Sequence, residues 1–283
     1  MKCCVYTRSF NEDPYLPFFI EHYLSIGFDE IIILKSDKIK IDVSQYNNKV
    51  IIHYVDNIEN RLLPVYSKKI NRNNDWVLSV DIDEILLIKN FNIKEYISNI
   101  INFDKDVNII YFRWAILEKY DNTNINNLKD LIDNYKIYQN SHIKSMAKVK
   151  YLKSVWHPHL IDLKIPHHIY FEKSILKVNK PSKHNISLVS YYDSILLHIH
   201  TRSLNNLLIK SLTTKLGFSG RNKIVKRIKD SEKFPYLINE KINDDFFQNF
   251  KKIIGEKAIL PFNHSKTKTI NIEELGYNIN FYE

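Results

Sequence analysis

Glycine is scarce in this sequence. Five glycines, at 27, 217, 220, 255 and 276, are spread over 283 residues, and none falls in a Gly-rich phosphate loop. That excludes a P-loop and a dinucleotide fingerprint. Cysteine is scarcer: Cys3 and Cys4 stand side by side. Neighbouring cysteines rarely have disulfide geometry, and no second pair is available for a zinc site, so both read as buried strand residues in a reducing compartment. No apolar run reaches the ~18 residues of a membrane-spanning helix. The opening "MKCCVYTRSF" has too short an apolar run for a signal peptide. A soluble, cytoplasmic protein is the expectation. No block of five or six like charges reads as a nucleic-acid tail.

What the chain does contain is apolar and basic. Hydrophobic residues make up 44% and aromatics 13%, enough for a sizeable core. Lys and Arg outnumber Asp and Glu 41 to 32, for a formal charge of +9, so anionic partners are favoured. The positives are scattered among the acids, which equally fits a lysine-rich solvated surface.

Patterning predicts an α/β fold. "KCCVYTR" (2–8), "DEIIILK" (29–35), "KVIIHYV" (49–55) and residues 76–81 read as strands. "PYLPFFIEHYLSIG" (14–27) reads as a helix with Pro14 in its first turn, Asn11 or Asp13 as cap and Gly27 at its end. A second helix is expected near 61–72. The resulting strand–helix–strand–strand–helix–strand order implies a mostly parallel sheet flanked by helices, which explains the continuous Ile/Val runs. Further on, 93–101 reads as helix, 107–117 as strand and the Asn-rich 120–142 as a long loop. Strands are expected around 143–156, 167–177 and 185–200. From Ser203 the pattern turns helical (203–216, 221–231, 240–254), and 256–283 is irregular. The expected organisation is one α/β unit over 1–216 with a helical extension, 217–283, packed on it.

"DWVLSVDIDEILLI" (75–88) places Asp81, Asp83 and Glu84 at the end of the most apolar strand. Ligands of open α/β sheets bind beyond the carboxyl ends of strands. Residues two apart in an extended segment face the same way, so Asp81 and Asp83 can address one ligand. Two such carboxylates repel unless a cation sits between them. Their hard oxygens suit Mg²⁺ or Mn²⁺, with substrate phosphates completing the shell. The competing reading is a solvated acidic turn.

The same stretch resembles the D-x-D-E motif of GT-A-fold glycosyltransferases, in particular family 2-like proteins close to family 92. "YTRSFNEDPYLPFFIEHYLSIGFDEIIIL" resembles that family's opening, with two residues between Arg8 and Asn11. "FRWAIL" (112–117) resembles its Trp-bearing strand, "IKSMAKV" (143–149) its Lys-Ser segment, and "LLHIHTRS" (196–203) its late His segment with Arg202 in a Lys position. The match runs from residue 3 to about 216. The resemblance implies a nucleotide-sugar donor, UDP-linked above all, an Mn²⁺ or Mg²⁺ ion, and transfer of a sugar to an acceptor hydroxyl on a glycan. In that picture Asp83 holds the metal. Asp81 contacts the ribose or the ion's water shell, and His198 completes the metal set, with His200 as second choice. Thr7, Arg8, Glu12 and Arg202 line the donor. The family commonly carries Asp at the end of the second strand; here Lys35 stands there, and Asp37 is the substitute candidate.

A satisfied core histidine is the competing reading of His198, and a surface residue that of Arg202. The N-terminus of the helix 203–216 beside them suits phosphate. His157-x-His159 is expected to line an acceptor pocket or pack beside Trp156 rather than hold zinc. An inverting transfer needs a general base, for which Glu118 and Asp193 are strand-end candidates. The basic segment 221–230 fits a solvated helix face or an anionic partner. Two other classes remain open: a nucleic-acid-binding module, and a transferase-like scaffold without catalysis.

Overall fold

The computed structural model describes residues 1–9, 12, 15–36, 40–55, 62–68, 70, 72–88, 91–118, 137–157, 159–171, 173–179 and 194–201. The helices expected beyond Ser203, Arg202, Asp37, Asp193, and the strand residues 185–193 lie outside them. The 217–283 extension does too.

The first half follows the Ile/Val runs. Strand β1 (Cys3–Ser9) leads to helix α1 (Leu16–Ser25), strand β2 (Glu30–Lys35), strand β3 (Val50–Tyr54), the short helix α2 (Leu62–Ser67) and strand β4 (Trp76–Ser79). β1 lies between β2 and β4, and β3 lies outside β2; every one of these pairings is parallel. Chain order therefore runs outward in one direction through β2 and β3 and restarts on the other side at β4. Such a reversal opens a crevice at the carboxyl ends of β1 and β4.

Helix α1 begins later than expected. Pro14, Asn11 and Asp13 lie outside the described residues; Tyr15 is the N-cap, makes no side-chain cap bond, and Pro17 sits in the first turn. The far end is as the sequence suggests. Gly27 takes φ +95°, Gly27 N–H donates to Leu24 O and Phe28 N–H to Tyr23 O, both at 3.1 Å. This is the paired 5→2 and 6→1 closure that favours glycine.

The acidic stretch is not the end of one strand. It is a turn between two: β4 stops at Ser79 and β5 (Glu84–Ile88) begins at Glu84. Helix α3 (Ile93–Phe103) follows, capped by Asn92, whose side chain accepts from the Lys94 and Glu95 N–H groups. Strand β6 (Ile109–Glu118) pairs antiparallel with β7 (Ile137–Lys148), which inserts between β6 and β4. Residues 137–142, expected as loop, thus belong to a strand. The 143–156 strand is also split. A 3-10 turn (Val149–Tyr151) separates β7 from β8 (Leu152–His157), which forms its own antiparallel ribbon with β9 (Leu160–Leu163). The expected 167–177 strand is a hairpin, β10 (His167–Phe171) and β11 (Ser174–Val178). β12 (Ser194–Thr201) runs parallel to β6 and antiparallel to β5.

The main sheet is thus an α/β sheet of order β11-β10-β6-β7-β4-β1-β2-β3, with β12 and β5 branching from the far end of β6. Among the described residues five of its nine pairings are parallel, counting β10–β6. One apolar layer joins it to α1 and α3 through Phe19, Tyr23, Ile93 and Ile97. The other joins it to α2 through Tyr66, to Ile70 just beyond that helix, and to the β8–β9 ribbon through Val155 and Ile161. No helix among the described residues is long and apolar enough to cross a membrane.

Strand direction decides where polar groups collect. β1, β4, β6 and β12 bring their carboxyl ends to one edge. β5 and β7 run the other way and bring their amino ends to that same edge. Arg8, Asp81, Asp83, Glu84, Trp114, His142, Lys144 and His198 all belong to it.

Candidate functional site

The turn Asp81–Glu84 is built to hold its shape. Glu84 N–H donates to Asp81 O at 3.0 Å, and Asp81 N–H donates to Glu84 Oε2 at 2.8 Å. Ile199 N–H donates to Asp83 O at 2.8 Å, tying β12 to the turn. Helix α1 fixes β5 from behind: Tyr23 OH donates to Glu84 O at 2.9 Å, and His22 Nε2 lies 2.8 Å from Leu86 O. A carbonyl only accepts, so the His22 proton is on Nε2.

Asp81 is held by two cations. Arg8 Nε lies 3.1 Å from its Oδ1, and Lys144 Nζ 2.7 Å from its Oδ2. Lys144 also reaches Glu84 Oε2 at 3.1 Å and is 0% exposed. A buried ammonium is tolerable only with such partners. Burial alone would raise the Asp81 pKa; Lys144 first, then Arg8, outweigh it and hold the carboxyl well below its ordinary range. Burial pushes Lys144 down, and Asp81 and Glu84 more than reverse it. For Glu84 burial wins: the carboxyl is raised to about 7 against the pull of Lys144, with Asp81 adding to the rise. Glu84 Oε1 is buried with no hydrogen-bond partner among the described residues.

Asp83 and His198 form a second pair. Asp83 Oδ1 lies 3.7 Å from His198 Nε2, and their side chains are 9% and 10% exposed. That is long for a hydrogen bond. Two ligands each about 2.1 Å from one ion can lie up to about 4.2 Å apart, so the pair fits a shared divalent ion. Among the described residues no group of three His, Cys, Asp or Glu side chains converges as a metal cluster. An ion here would have two protein donors and would take the rest from water and phosphate oxygens, the usual habit of Mg²⁺-type sites. Asp81, with each oxygen in an ion pair, is not arranged as a direct ligand.

The other expected residues divide. Thr7 is buried, its hydroxyl 3.5 Å from Arg8 O, and so backs Arg8 rather than facing a ligand. Glu12 adds to the electrostatic hold on Arg8. Glu118 is the last residue of β6, paired with Thr201 beyond a bulge; its side chain lies outside the described residues. So does the His157 side chain. His159 packs on Trp114 with ring centroids 4.9 Å apart. His167 is buried and accepts from Leu163 N–H, and His168 pairs with Asp104 at 3.0 Å; neither joins the site.

Sequence reasoning missed the role of Lys144 and the rings around Trp114. The stretch "IKSMAKV" contains Lys144 but does not show its partner. The signal available was a lysine at an inward-facing position of a predicted strand, which must find a carboxylate if the strand is buried.

No protein-family model matches the chain, and no curated protein matches it. Among solved structures it is similar to 4-diphosphocytidyl-2C-methyl-D-erythritol synthase from Anaerococcus prevotii, at 10% identity and a TM-score of 0.32. The alignment covers 54% of this chain and 72% of that one. At that level the likeness bears on neither activity nor substrate.

Proposed function

We propose that the protein is a metal-dependent glycosyltransferase that moves a sugar from a nucleotide-sugar, a UDP-sugar in the first instance, to an acceptor hydroxyl. The observation that carries this reading is the pairing of Asp83 with His198 beside a cation-held Asp81, at the crevice between β1 and β4. The family resemblance of the D-x-D-E stretch points the same way.

Asp83 and His198 would hold Mn²⁺ or Mg²⁺. When bound, the ion supplies Lewis-acid stabilisation of negative charge on a departing diphosphate. The chain's own residues do the rest. Lys144 and Arg8 keep Asp81 ionised and fixed, so its carboxylate is preset rather than reorganised when a ligand arrives. Arg8 is partly exposed and can offer donors to a phosphate. The 81–84 turn, clamped by Ile199 and Tyr23, holds Asp83 at a constant distance from β12. The acceptor's base remains with Glu118 and Asp193 as candidates. A nucleic-acid-binding module leaves this buried ion network unexplained.

Calorimetric titration with UDP, with and without Mn²⁺, tests the reading. UDP should bind only with the metal. Asp83→Ala should weaken metal-dependent binding by at least about tenfold, since even outer partners of a metal ligand are worth about 10–100-fold. Unchanged UDP affinity in a folded Asp83→Ala protein would sink it.

A further inference from the structure

Trp114 is ringed by imidazoles. Its ring centroid lies 4.2 Å from His198, 4.9 Å from His159 and 5.1 Å from His142, which stacks on it at 22°. Trp114, His142 and His159 are half-buried. They arise from β6, β7 and the β8–β9 connection, which the fold brings together from separate stretches of sequence.

The two outer imidazoles are oriented by hydrogen bonds, one to the Asn140 side chain and one to the backbone. His142 Nδ1 lies 2.7 Å from Asn140 Oδ1, which also accepts from the His142 N–H at 2.8 Å. His159 Nδ1 lies 2.9 Å from Ile143 O, and Ser145 Oγ donates to His159 O at 2.7 Å. A carbonyl only accepts, so His159 carries its proton on Nδ1, and its ring is fixed in place. Three polar rings around one indole are a poor way to fill an apolar core. They suit a ligand with an apolar face and a polar rim, which aromatic and imidazole groups contact together.

Position narrows the ligand. On the transferase reading the donor's diphosphate sits at Asp83 and His198, and the His198 ring centroid lies 4.2 Å from that of Trp114, so the group next to the diphosphate on that side is set at Trp114. That group is neither base nor phosphate.

We propose that Trp114, His142 and His159 form a subsite for a pyranose ring next to the Asp83–His198 pair. The inference rests on the transferase reading above. The ring belongs to the donor's own sugar or to the acceptor glycan.

Titrations in Mn²⁺ compare UDP, UDP-glucose, UDP-galactose and UDP-N-acetylglucosamine, alongside an array of free oligosaccharides. The proteins are wild type, His142→Ala and Trp114→Leu, each checked for an intact fold by circular dichroism. Trp114 touches His198, so His142→Ala is the cleaner variant. In wild type a sugar-bearing ligand should bind more tightly than UDP, or an oligosaccharide should bind at all. Both variants should weaken that ligand about tenfold, the scale of one lost aromatic contact. UDP itself should move less than about twofold in His142→Ala. A loss confined to a UDP-hexose assigns the donor's ring; a loss confined to an oligosaccharide assigns the acceptor's. Wild-type affinity for every sugar-bearing ligand in both variants overturns the subsite, as does an equal loss of UDP in His142→Ala. If UDP fails to bind the wild type, the transferase reading fails instead, and the oligosaccharide arm alone then decides the subsite.

Discussion

Lys144 is the residue on which the site's electrostatics turn. It is buried between Asp81 and Glu84, and among the described residues Asp81 has a second ion-pair partner in Arg8 while Glu84 has none. Removing the ammonium therefore strands Glu84. The folded Glu84 pKa is about 7, above its ordinary 4.5, so the native state prefers the protonated acid. The cost of ionising it is absent below about 4.5, grows as pH rises, and is complete above about 7. Without Lys144 that cost increases. Lys144→Met should lose about 3–5 kcal/mol at pH 8, the range for one partner of a buried pair. At pH 5.5, where Glu84 is protonated, the loss should be smaller. Adding Glu84→Gln should recover part of it at pH 8. Urea unfolding of the two variants and the wild type measures this; a loss independent of pH would refute the coupling.

At the scale of elements, α1 and β5 act as one unit. His22 and Tyr23 both bond the β5 backbone, and so hold the strand that starts at Glu84. Burial lowers the His22 pKa from 6.5 to about 4, partly offset by its bond to Leu86 O. The unfolded chain takes up this proton below 6.5 and the folded one only near 4. Stability from His22 is thus full above 6.5 and is lost as pH falls toward 4, by on the order of 3 kcal/mol. Glu84 works in the opposite sense between 7 and 4.5, so the wild-type curve mixes both. The difference between wild type and His22→Gln should isolate the histidine: the variant's deficit at pH 7 should shrink on acidification. A deficit constant from pH 7 to 4.5 would contradict it. Much at this scale was legible. The apolar runs gave β1, β2 and β4 and their parallel order, because a strand buried on both faces shows in composition alone, and the half-exposed edge strand β3 followed from its own Val/Ile run. β5, β7 and β12 were harder. Their places depend on partners such as Glu84 with His198 and Phe112 with Lys144, distant in sequence. An Asn-rich stretch before His142 has loop composition, and its pairing with β6 overrides that.

For the whole molecule, one consequence follows from mixing strand directions. A purely parallel sheet would bring only carboxyl ends to the crevice. Reversing β5 and β7 adds Glu84, His142 and Lys144 to the same edge, so acids, cations and aromatic rings share it. The spacing of Asp81 and Asp83 pointed both to one edge, whereas His198 was singled out by the family resemblance, since alternation in "SILLHIH" puts His198 and His200 on the same face. The division of labour between the two acids was not, since it depends on which one Lys144 reaches. Asp81 is held by Arg8 and Lys144, whereas Asp83 pairs with His198, the proposed ion site. The most direct test is a crystal structure with Mn²⁺ and UDP, read from the manganese anomalous signal. The account predicts one peak bonded to Asp83 Oδ1, His198 Nε2 and the diphosphate, with Asp81 still on Arg8 and Lys144. A diphosphate lying on Arg8 and Lys144 with no manganese between Asp83 and His198 would contradict it.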